Sequence, residues 1–288
     1  MLSRFMIACM RLVGRLPLAW VRALGWLLGR VLRAAARSRW KVAQTNLALC
    51  FPAMPAAERD ALTGRLFTVF AQTWLDRAWL WHADAATVAR RVRLQGALHE
   101  FDGDAPVILF CPHFVGLDAA ATVIALQVRR TFTSIYTTQA DPVVDEWVRR
   151  GRLRFGAVRL FERNVGVRDI VASLRAGNAL YLLPDMNFGR EGSLFVPFFG
   201  VRAATLPSLS RFARLGRAKV VPVLPRLTAD GYVVDVLPAW EHFPTDDLEA
   251  DTLRMNRCLE EYIATMPEQY FWVHKRFKTR PEGEPPVY

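Results

Sequence analysis

Two side chains able to do acid–base chemistry lie five residues apart near the middle of the chain. His113 and Asp118 belong to the stretch "VILFCPHFVGLDAAATVI", residues 107–124, which begins like a buried strand and ends like a helix. Five steps of about 100° leave two side chains about 140° apart on an α-helix, so this is not a helical pair. The spacing works across a turn, with His113 in the loop and Asp118 in the first helical turn.

A histidine held by a carboxylate can act as a general base. When one ring nitrogen donates to the carboxylate, the other keeps a lone pair that can take the proton of an attacking hydroxyl. This interpretation makes His113 the base and Asp118 the group that fixes its tautomer. The alternative is that His113 satisfies a backbone carbonyl and Asp118 caps the helix that it begins. The residues alone support both interpretations equally.

Cysteine chemistry, a metal and a cofactor are not expected. Cys111 lies two residues before His113, so a Cys–His pair is conceivable, but a cysteine at the end of a buried strand more often serves packing. The four cysteines are far apart and form no metal-type cluster. We therefore expect reduced thiols.

Two later stretches also carry candidate site residues. Arg163 follows a short strand in "RLFERNVGVRDI" and is a candidate for contact with an anion. Asp185 follows Pro184 after the buried strand of "LYLLPDMNFG". A carboxylate at such a strand end is either a turn former or a site residue.

Strand and helix patterns alternate around these residues. We predict strands at 107–110, 131–137, 158–161, 179–183, 194–199, 219–225 and 231–237, and helices at 57–82, 116–128, 141–150, 166–176, 205–216 and 245–266. This alternation predicts an α/β fold, with one domain over residues 41–288. A hairpin turning at Asp230-Gly231 adds an antiparallel pair, so we expect a mixed, mostly parallel sheet covered by helices.

The first fifty residues hold nine basic residues and no carboxylate. Arginines interrupt every window of roughly 20 residues that could span a bilayer. We predict that residues 1–40 form an amphipathic helix that associates with the membrane, with Trp20 and Trp26 in the acyl boundary and arginines at the headgroups. The alternative is a helix packed on the protein's own core. The arginines favour the cytoplasmic side.

The net charge of +11 favours an acidic partner. Phosphate-bearing lipid, nucleic acid and acidic protein all meet that description. The chain lacks the interleaved aromatic and basic pattern of nucleic-acid modules, so no nucleic acid is expected. Basic residues concentrate in "VRRGRLRFG" and "HKRFKTR", although a solvated charged face is the simpler interpretation of any one of them.

Several stretches resemble the late acyltransferases of lipid A biosynthesis, the lauroyl and myristoyl transferases of Gram-negative bacteria. They are "HFVGLD", "LLPDMNFG", "FVPFFGVRAAT", "VVPVLPR" and "PEQYFWVHKRFKTRPEGEPPVY". The resemblance runs from Lys41 to Tyr288, and its closing block is long and specific. The His-x4-acid element is shared more widely, across the glycerolipid acyltransferase superfamily.

The resemblance implies roles for individual residues. His113 is the base and Asp118 its orienting carboxylate, Arg163 binds an anionic part of the substrates, and Asp185 is the acid of a third block. Many members have Asp where this chain has Asn187, so the resemblance implies no role there. Four aromatic residues are candidates either for a chain-length pocket or for the core: Phe195, Phe198, Phe199 and Phe212.

The resemblance also implies a reaction and its partners. A fatty acyl chain passes from acyl carrier protein to a hydroxyl of a Kdo-bearing lipid A precursor, at the cytoplasmic face of the cell inner membrane. Carrier protein and acceptor are both acidic, in line with the basic chain. Two alternatives remain open from the sequence: a thioesterase in which water replaces the acceptor, and a membrane-binding protein without catalysis.

Overall fold

The computed structural model describes residues 1–162 and 166–288. Within those residues the strands are β1 (Val92–Gly96), β2 (Val107–Phe110), β3 (Thr131–Tyr136), β4 (Ala157–Glu162), β5 (Ala179–Leu182), β6 (Leu194–Phe198), β7 (Val201–Thr205), β8 (Lys219–Thr228) and β9 (Gly231–Val236). Seven of them form one sheet in the order β1-β9-β8-β2-β5-β3-β4. Only the β8–β9 pair in this sheet is antiparallel, while β6 and β7 form a separate antiparallel pair.

Helices cover this sheet and extend from it at the N-terminus. In the described residues they are α1 (Leu2–Val13), α2 (Leu18–Ala35), α3 (Arg37–Cys50), α4 (Ala56–Leu80), α5 (Ala85–Arg91), α6 (Leu117–Gln127), α7 (Pro142–Arg152), α8 (Val167–Arg175), α9 (Ser208–Gly216) and α10 (Leu248–Ala264). None of these helices is both long enough and apolar enough to cross a bilayer.

The predicted α/β fold with a mixed, mostly parallel sheet is confirmed. Each predicted strand, and each helix predicted beyond residue 40, forms to within a few residues, and the hairpin pairs Thr228 with Gly231. The sequence does not predict α3, α5, β1 or β7. The edge strand β1 is mostly exposed, and its alternation of Val92 and Leu94 with Arg93 and Gln95 covers only four residues, the lower limit for indicating a strand. β7 ends at Thr205, so the helix predicted from residue 205 begins only after Pro207.

The sheet is buried on both faces. Ile108 and Phe110 of β2 pack into one cluster of the core, whereas Val107 and Leu109 pack into the other. Alternate residues of a strand point to opposite faces, so one short strand contributes to both clusters. This double burial explains the unbroken apolar run of β2, which is typical of parallel sheets.

The N-terminal segment packs closely on the rest of the protein. The single helix predicted over residues 1–40 is wrong, because the chain turns between Gly14 and Pro17 and forms α1 and α2. A Cβ atom added at Gly29 of α2 would lie 2.6 Å from the Cα atom of Thr68 in α4. Arg22 forms an ion pair of 2.5 Å with the buried Asp76, so it is not available to headgroups.

The opposite side of α2 is apolar and exposed. Trp20, Leu24, Leu27 and Val31 follow helical spacing and are 66%, 40%, 56% and 55% exposed. We call these four residues the outer stripe of α2. The glycine face thus packs on the core, as the second interpretation has it, and the outer stripe presents apolar surface to the outside. Membrane association remains a prediction.

We expect Gly29→Ala to destabilise the protein, because its new methyl group meets the α4 backbone. Overpacking of this kind costs about 1–3 kcal/mol. Gly64→Ala is the matched control, since its Cβ would lie 3.2 Å from only the flexible end of Arg33. A glycine replaced by alanine inside a helix otherwise gains up to about 1 kcal/mol. Thermal unfolding should show a lower melting temperature for Gly29→Ala alone; equal melting temperatures would contradict the close packing of α2 on α4.

Candidate active site

The register of two neighbouring parallel strands brings a histidine to a carboxylate. Phe110 at the end of β2 pairs with Leu182 at the end of β5. Each strand is followed by one residue, a proline and then a polar residue, which is His113 after β2 and Asp185 after β5. The imidazole Nδ1 lies 2.8 Å from Oδ1 of Asp185, and the His113 backbone N–H donates to Oδ2 at 3.0 Å.

Asp185 is fully buried, and hydrogen bonds from His113 and Tyr270 replace water around its carboxylate. Burial tends to raise its pKa, but the charge and the hydrogen bonds of His113 outweigh burial and hold the pKa below its ordinary value. The hydroxyl of Tyr270 also donates to Oδ2, at 3.1 Å. Burial and the neighbouring Asp185 raise the pKa of Tyr270 well above its ordinary value, so this hydroxyl keeps its proton.

Within residues 1–162 and 166–288, Nδ1 of His113 is therefore fixed by Asp185 and Nε2 has no hydrogen-bond partner. With Nδ1–H donating to an ionised carboxylate, Nε2 carries the lone pair. The side chain of His113 is 25% exposed and lines a large cavity. A base with a fixed tautomer and an open basic nitrogen is suited to take a proton from a hydroxyl in that cavity.

The predicted contact between Asp118 and His113 is wrong, because two arginines occupy the Asp118 carboxylate. Arg77 of α4 lies 2.8 Å from Oδ2, and Arg152 of α7 lies 3.1 Å from Oδ1. Burial tends to raise the pKa of Asp118, but Arg152 and Arg77 together hold it below its ordinary value. Full charges on two guanidiniums attract this carboxylate more strongly than a neutral ring does. The three residues leave one net positive charge on the cavity wall.

The other predicted site residues fall in different places. Asp185 is fully buried and its carboxylate contacts the His113 ring, and its predicted part in substrate binding stays a prediction. Arg163 lies outside the described residues. The signal for Asp185 was present in the sequence as the repeated arrangement "CPH" and "LPD" at two strand ends, but a single sequence does not show that the two strands are neighbours.

The cavity in front of His113 has a volume of about 1070 Å³. The polar part of its wall includes His113 and the Arg77–Asp118–Arg152 cluster. The remaining wall is largely apolar and includes Phe132, Ile135, Leu160, Ile170, Leu182 and Phe212. Of the four aromatic candidates for a chain-length pocket, Phe212 lines this cavity, whereas Phe198 packs between Tyr270 and Phe277 in the core. A cavity with this volume and a largely apolar lining suits an apolar ligand with a polar end.

The closing block of the sequence forms one side of the site. Val115 N–H donates to the Gln269 carbonyl at 2.9 Å, and Phe271 N–H donates to the His113 carbonyl at 3.1 Å. These bonds fix the loop that carries His113. Asn187 joins the same block to the loop after β5: its Nδ2 donates to the Arg276 carbonyl, and its Oδ1 accepts from Thr279. An aspartate could not donate here, which gives a physical reason for the amide.

Cys111 is not placed as a nucleophile. Its thiol is fully buried and hydrogen-bonded to the Tyr181 hydroxyl at 2.7 Å. Burial raises the pKa of Cys111 to about 12, so the thiolate that a nucleophilic mechanism needs is not populated at neutral pH. This agrees with the packing interpretation.

The comparisons with known proteins agree with one another. A family model described as bacterial lipid A biosynthesis acyltransferase matches residues 1–279. The lipid A biosynthesis lauroyltransferase of Escherichia coli (strain K12) is 32% identical over 288 residues, covering 98% of this chain and 93% of that protein. The lipid A biosynthesis myristoyltransferase of the same organism is 35% identical over 267 residues, covering 89% and 80%. Its palmitoleoyltransferase is 32% identical over 284 residues, covering 95% and 90%.

We expect Asp118→Asn to destabilise the protein in a pH-dependent way, because it leaves two guanidiniums without their carboxylate. Breaking a mostly buried ion pair costs about 3 kcal/mol. The folded-state pKa of Asp118 is lowered, so its stabilisation is present above the ordinary carboxyl pKa and is lost as the pH falls through the folded value. The melting temperatures of wild type and variant should differ most near neutral pH and converge in acid.

Asp246→Asn is the control for that experiment. Asp246 forms an ion pair with Arg214 at an exposed site, where such pairs contribute about 0–1 kcal/mol. Its melting temperature should stay close to that of wild type throughout. A difference for Asp118→Asn that is equal at pH 3 and pH 7 would show that the charge of Asp118 is not what stabilises the site.

Proposed function

This chain belongs to the bacterial lipid A biosynthesis acyltransferase family, and from that membership we propose that it transfers a fatty acyl chain from acyl carrier protein to a hydroxyl of a Kdo-bearing lipid A precursor. Acyl transfer in lipid A biosynthesis is the activity of the family. The single observation that supports a chemical mechanism is the hydrogen bond from His113 to Asp185, beside an apolar cavity.

The proposed reaction is direct transfer with His113 as general base. Nε2 takes the proton of the acceptor hydroxyl while Asp185 stabilises the imidazolium through Nδ1–H. The hydroxyl oxygen bonds to the thioester carbonyl carbon and forms a tetrahedral oxyanion. When the oxyanion collapses, the carbon–sulfur bond breaks, and the leaving thiolate takes the proton from Nε2. Asp185 thus has the orienting role that the sequence assigned to Asp118.

The cavity wall supports the choice of substrates. Apolar side chains line much of the cavity that His113 also lines, and the hydrocarbon of the acyl chain would lie against them. The Arg77–Asp118–Arg152 cluster supplies positive charge near the base, which favours an anionic group on either substrate. The net charge of +11 favours encounter with an acidic carrier protein and a phosphorylated lipid.

We further propose that the protein works at the cytoplasmic face of the inner membrane, held there by the outer stripe of α2. Four large apolar side chains on one face of a helix are costly to leave in water, and an interfacial helix buries them at the acyl boundary. Arg30 lies over the Trp26 ring at 4.8 Å beside this stripe, with its charge available to anionic headgroups. An acceptor that is itself a lipid would be presented at the same surface.

We expect His113→Ala to lower acyl transfer about 10²–10⁴-fold, because the variant lacks the general base. Asp185→Asn should also lower it strongly, since an amide does not stabilise the imidazolium. The assay is transfer of an acyl chain from acyl carrier protein to the purified lipid acceptor, with the product identified by mass spectrometry. His99→Ala, at an exposed histidine, is the control and should remain fully active.

Near-normal transfer by folded His113→Ala protein would exclude the proposed role of this residue. Consumption of the thioester at the same rate with and without the lipid acceptor would indicate a thioesterase instead of a transferase. Fragmentation of the product also identifies the acceptor hydroxyl and the length of the transferred chain.

We expect the double substitution Leu24→Ser and Leu27→Ser to weaken binding to vesicles of anionic lipid by about 10-fold or more, because it removes two leucines from the outer stripe. The matched control is Leu98→Ser with Leu215→Ser, two comparably exposed leucines elsewhere on the molecule. Vesicle sedimentation measures both. Point substitutions are preferable to deleting residues 1–40, because deletion would uncover the α4 surface beneath Gly25 and Gly29. Equal loss in both pairs would refute membrane contact through α2.

A further inference from the structure

A second histidine lines the cavity that His113 faces. His274 lies in the closing block, and its ring forms part of the cavity wall. Its backbone N–H donates to the Phe271 carbonyl at 3.2 Å, and the N–H of Phe271 donates in turn to the His113 carbonyl at 3.1 Å. His274 is therefore held one turn after Phe271, whose N–H fixes the loop that carries His113.

The tautomer of His274 is set by a backbone group. The N–H of Asn187 donates to Nε2 of the ring at 3.0 Å. A backbone N–H can only donate, so Nε2 must carry the lone pair, and the proton of the neutral ring must be on Nδ1. Burial is the main cause that lowers the pKa of His274, to about 4, with further contributions from Arg276 and His113. The ring is consequently neutral at physiological pH.

The Nδ1–H edge of His274 is left available. No hydrogen-bond partner of Nδ1 occurs within residues 1–162 and 166–288, although Nε2 is engaged and the His274 carbonyl accepts from Asn46 at 2.7 Å. A ring with one edge fixed to the loop after β5 and the other edge free beside a cavity is a preorganised single donor.

We propose that the Nδ1–H of His274 donates a hydrogen bond to the carbonyl oxygen of the acyl donor and stabilises the oxyanion that forms there. This role rests on the proposed acyl transfer. During the reaction the hydroxyl proton moves to Nε2 of His113 and then to the leaving sulfur, whereas His274 keeps its proton throughout. A neutral donor has an advantage here, since a positively charged His274 would make it harder for His113 to accept a proton.

Two substitutions separate the two edges of the His274 ring. In His274→Gln the amide oxygen can reach the position of Nε2 and accept from Asn187, but nothing replaces Nδ1–H. In His274→Asn the amide nitrogen can replace Nδ1–H, but the Asn187 N–H loses its acceptor. A structural role predicts that the glutamine variant is the more active one. Oxyanion stabilisation predicts the reverse.

We expect the glutamine variant to lose about 10²–10³-fold in kcat with little change in KM, and with a melting temperature near that of wild type. The asparagine variant should be less stable yet retain more kcat. The assay uses the full chain with acyl carrier protein thioester and the lipid acceptor. Glutamine activity equal to or above asparagine activity, per folded protein, would overturn the proposal.

The activity of the wild type separates failure of the His274 role from failure of the proposed acyl transfer. If wild type hydrolyses the thioester without transferring the chain, the same order of variants still applies, because hydrolysis passes through the same oxyanion. If wild type does neither, both proposals are overturned.

A measurement on the wild-type protein removes the dependence on variant folding. The ¹⁵N NMR signals of His274 should show a proton on Nδ1 at pH 7. The Nδ1 signal should shift when an amide analogue of an acyl pantetheine thioester is added. A proton on Nε2, or an Nδ1 signal that does not respond to the analogue, would contradict the proposed contact.

Discussion

The in-register pairing of β2 with β5 is the constraint on which the site depends. His113 and Asp185 are both three residues beyond a paired position, so their contact follows from the pairing of Phe110 with Leu182. A slip of one residue would turn every side chain of one strand to the opposite face of the sheet. Both strands are buried on both faces, so such a slip would also place the wrong side chains in the core. The core thereby enforces the geometry of the base.

The closing block helps to stabilise the buried carboxylate of Asp185. A carboxylate taken fully out of water is costly unless hydrogen bonds replace its hydration. Asp185 receives hydrogen bonds from the His113 backbone, the His113 ring and Tyr270, the last of which comes from the C-terminal part of the chain. The block also holds the loop of His113 through Gln269 and Phe271. The C-terminal residues are for this reason part of the site as well as of the fold.

Local pattern predicts the elements of this protein well, and it predicts their contacts poorly. The apolar runs at β2 and β5 and the prolines after them are visible in the sequence, and so is the position of His113 at a strand end. The partners of Asp118 are not, because Arg77 and Arg152 come from other helices and nothing in the spacing points to them. The faces of α2 are ambiguous for a similar reason: Gly25 and Gly29 mark close packing only when α4 is known to lie against them.

The groups around His113 are each held in one protonation state, and this decides what the histidine can do. Asp185 stays ionised, Tyr270 keeps its proton, burial raises the pKa of Cys111 to about 12, and His274 is neutral with a pKa of about 4. None of these groups competes with His113 for a proton at neutral pH. The two histidines offer opposite groups to a substrate, because one ring nitrogen of each is bonded to a different kind of partner. A carboxylate that can only accept leaves His113 with a free lone pair, and a backbone N–H that can only donate leaves His274 with a free proton.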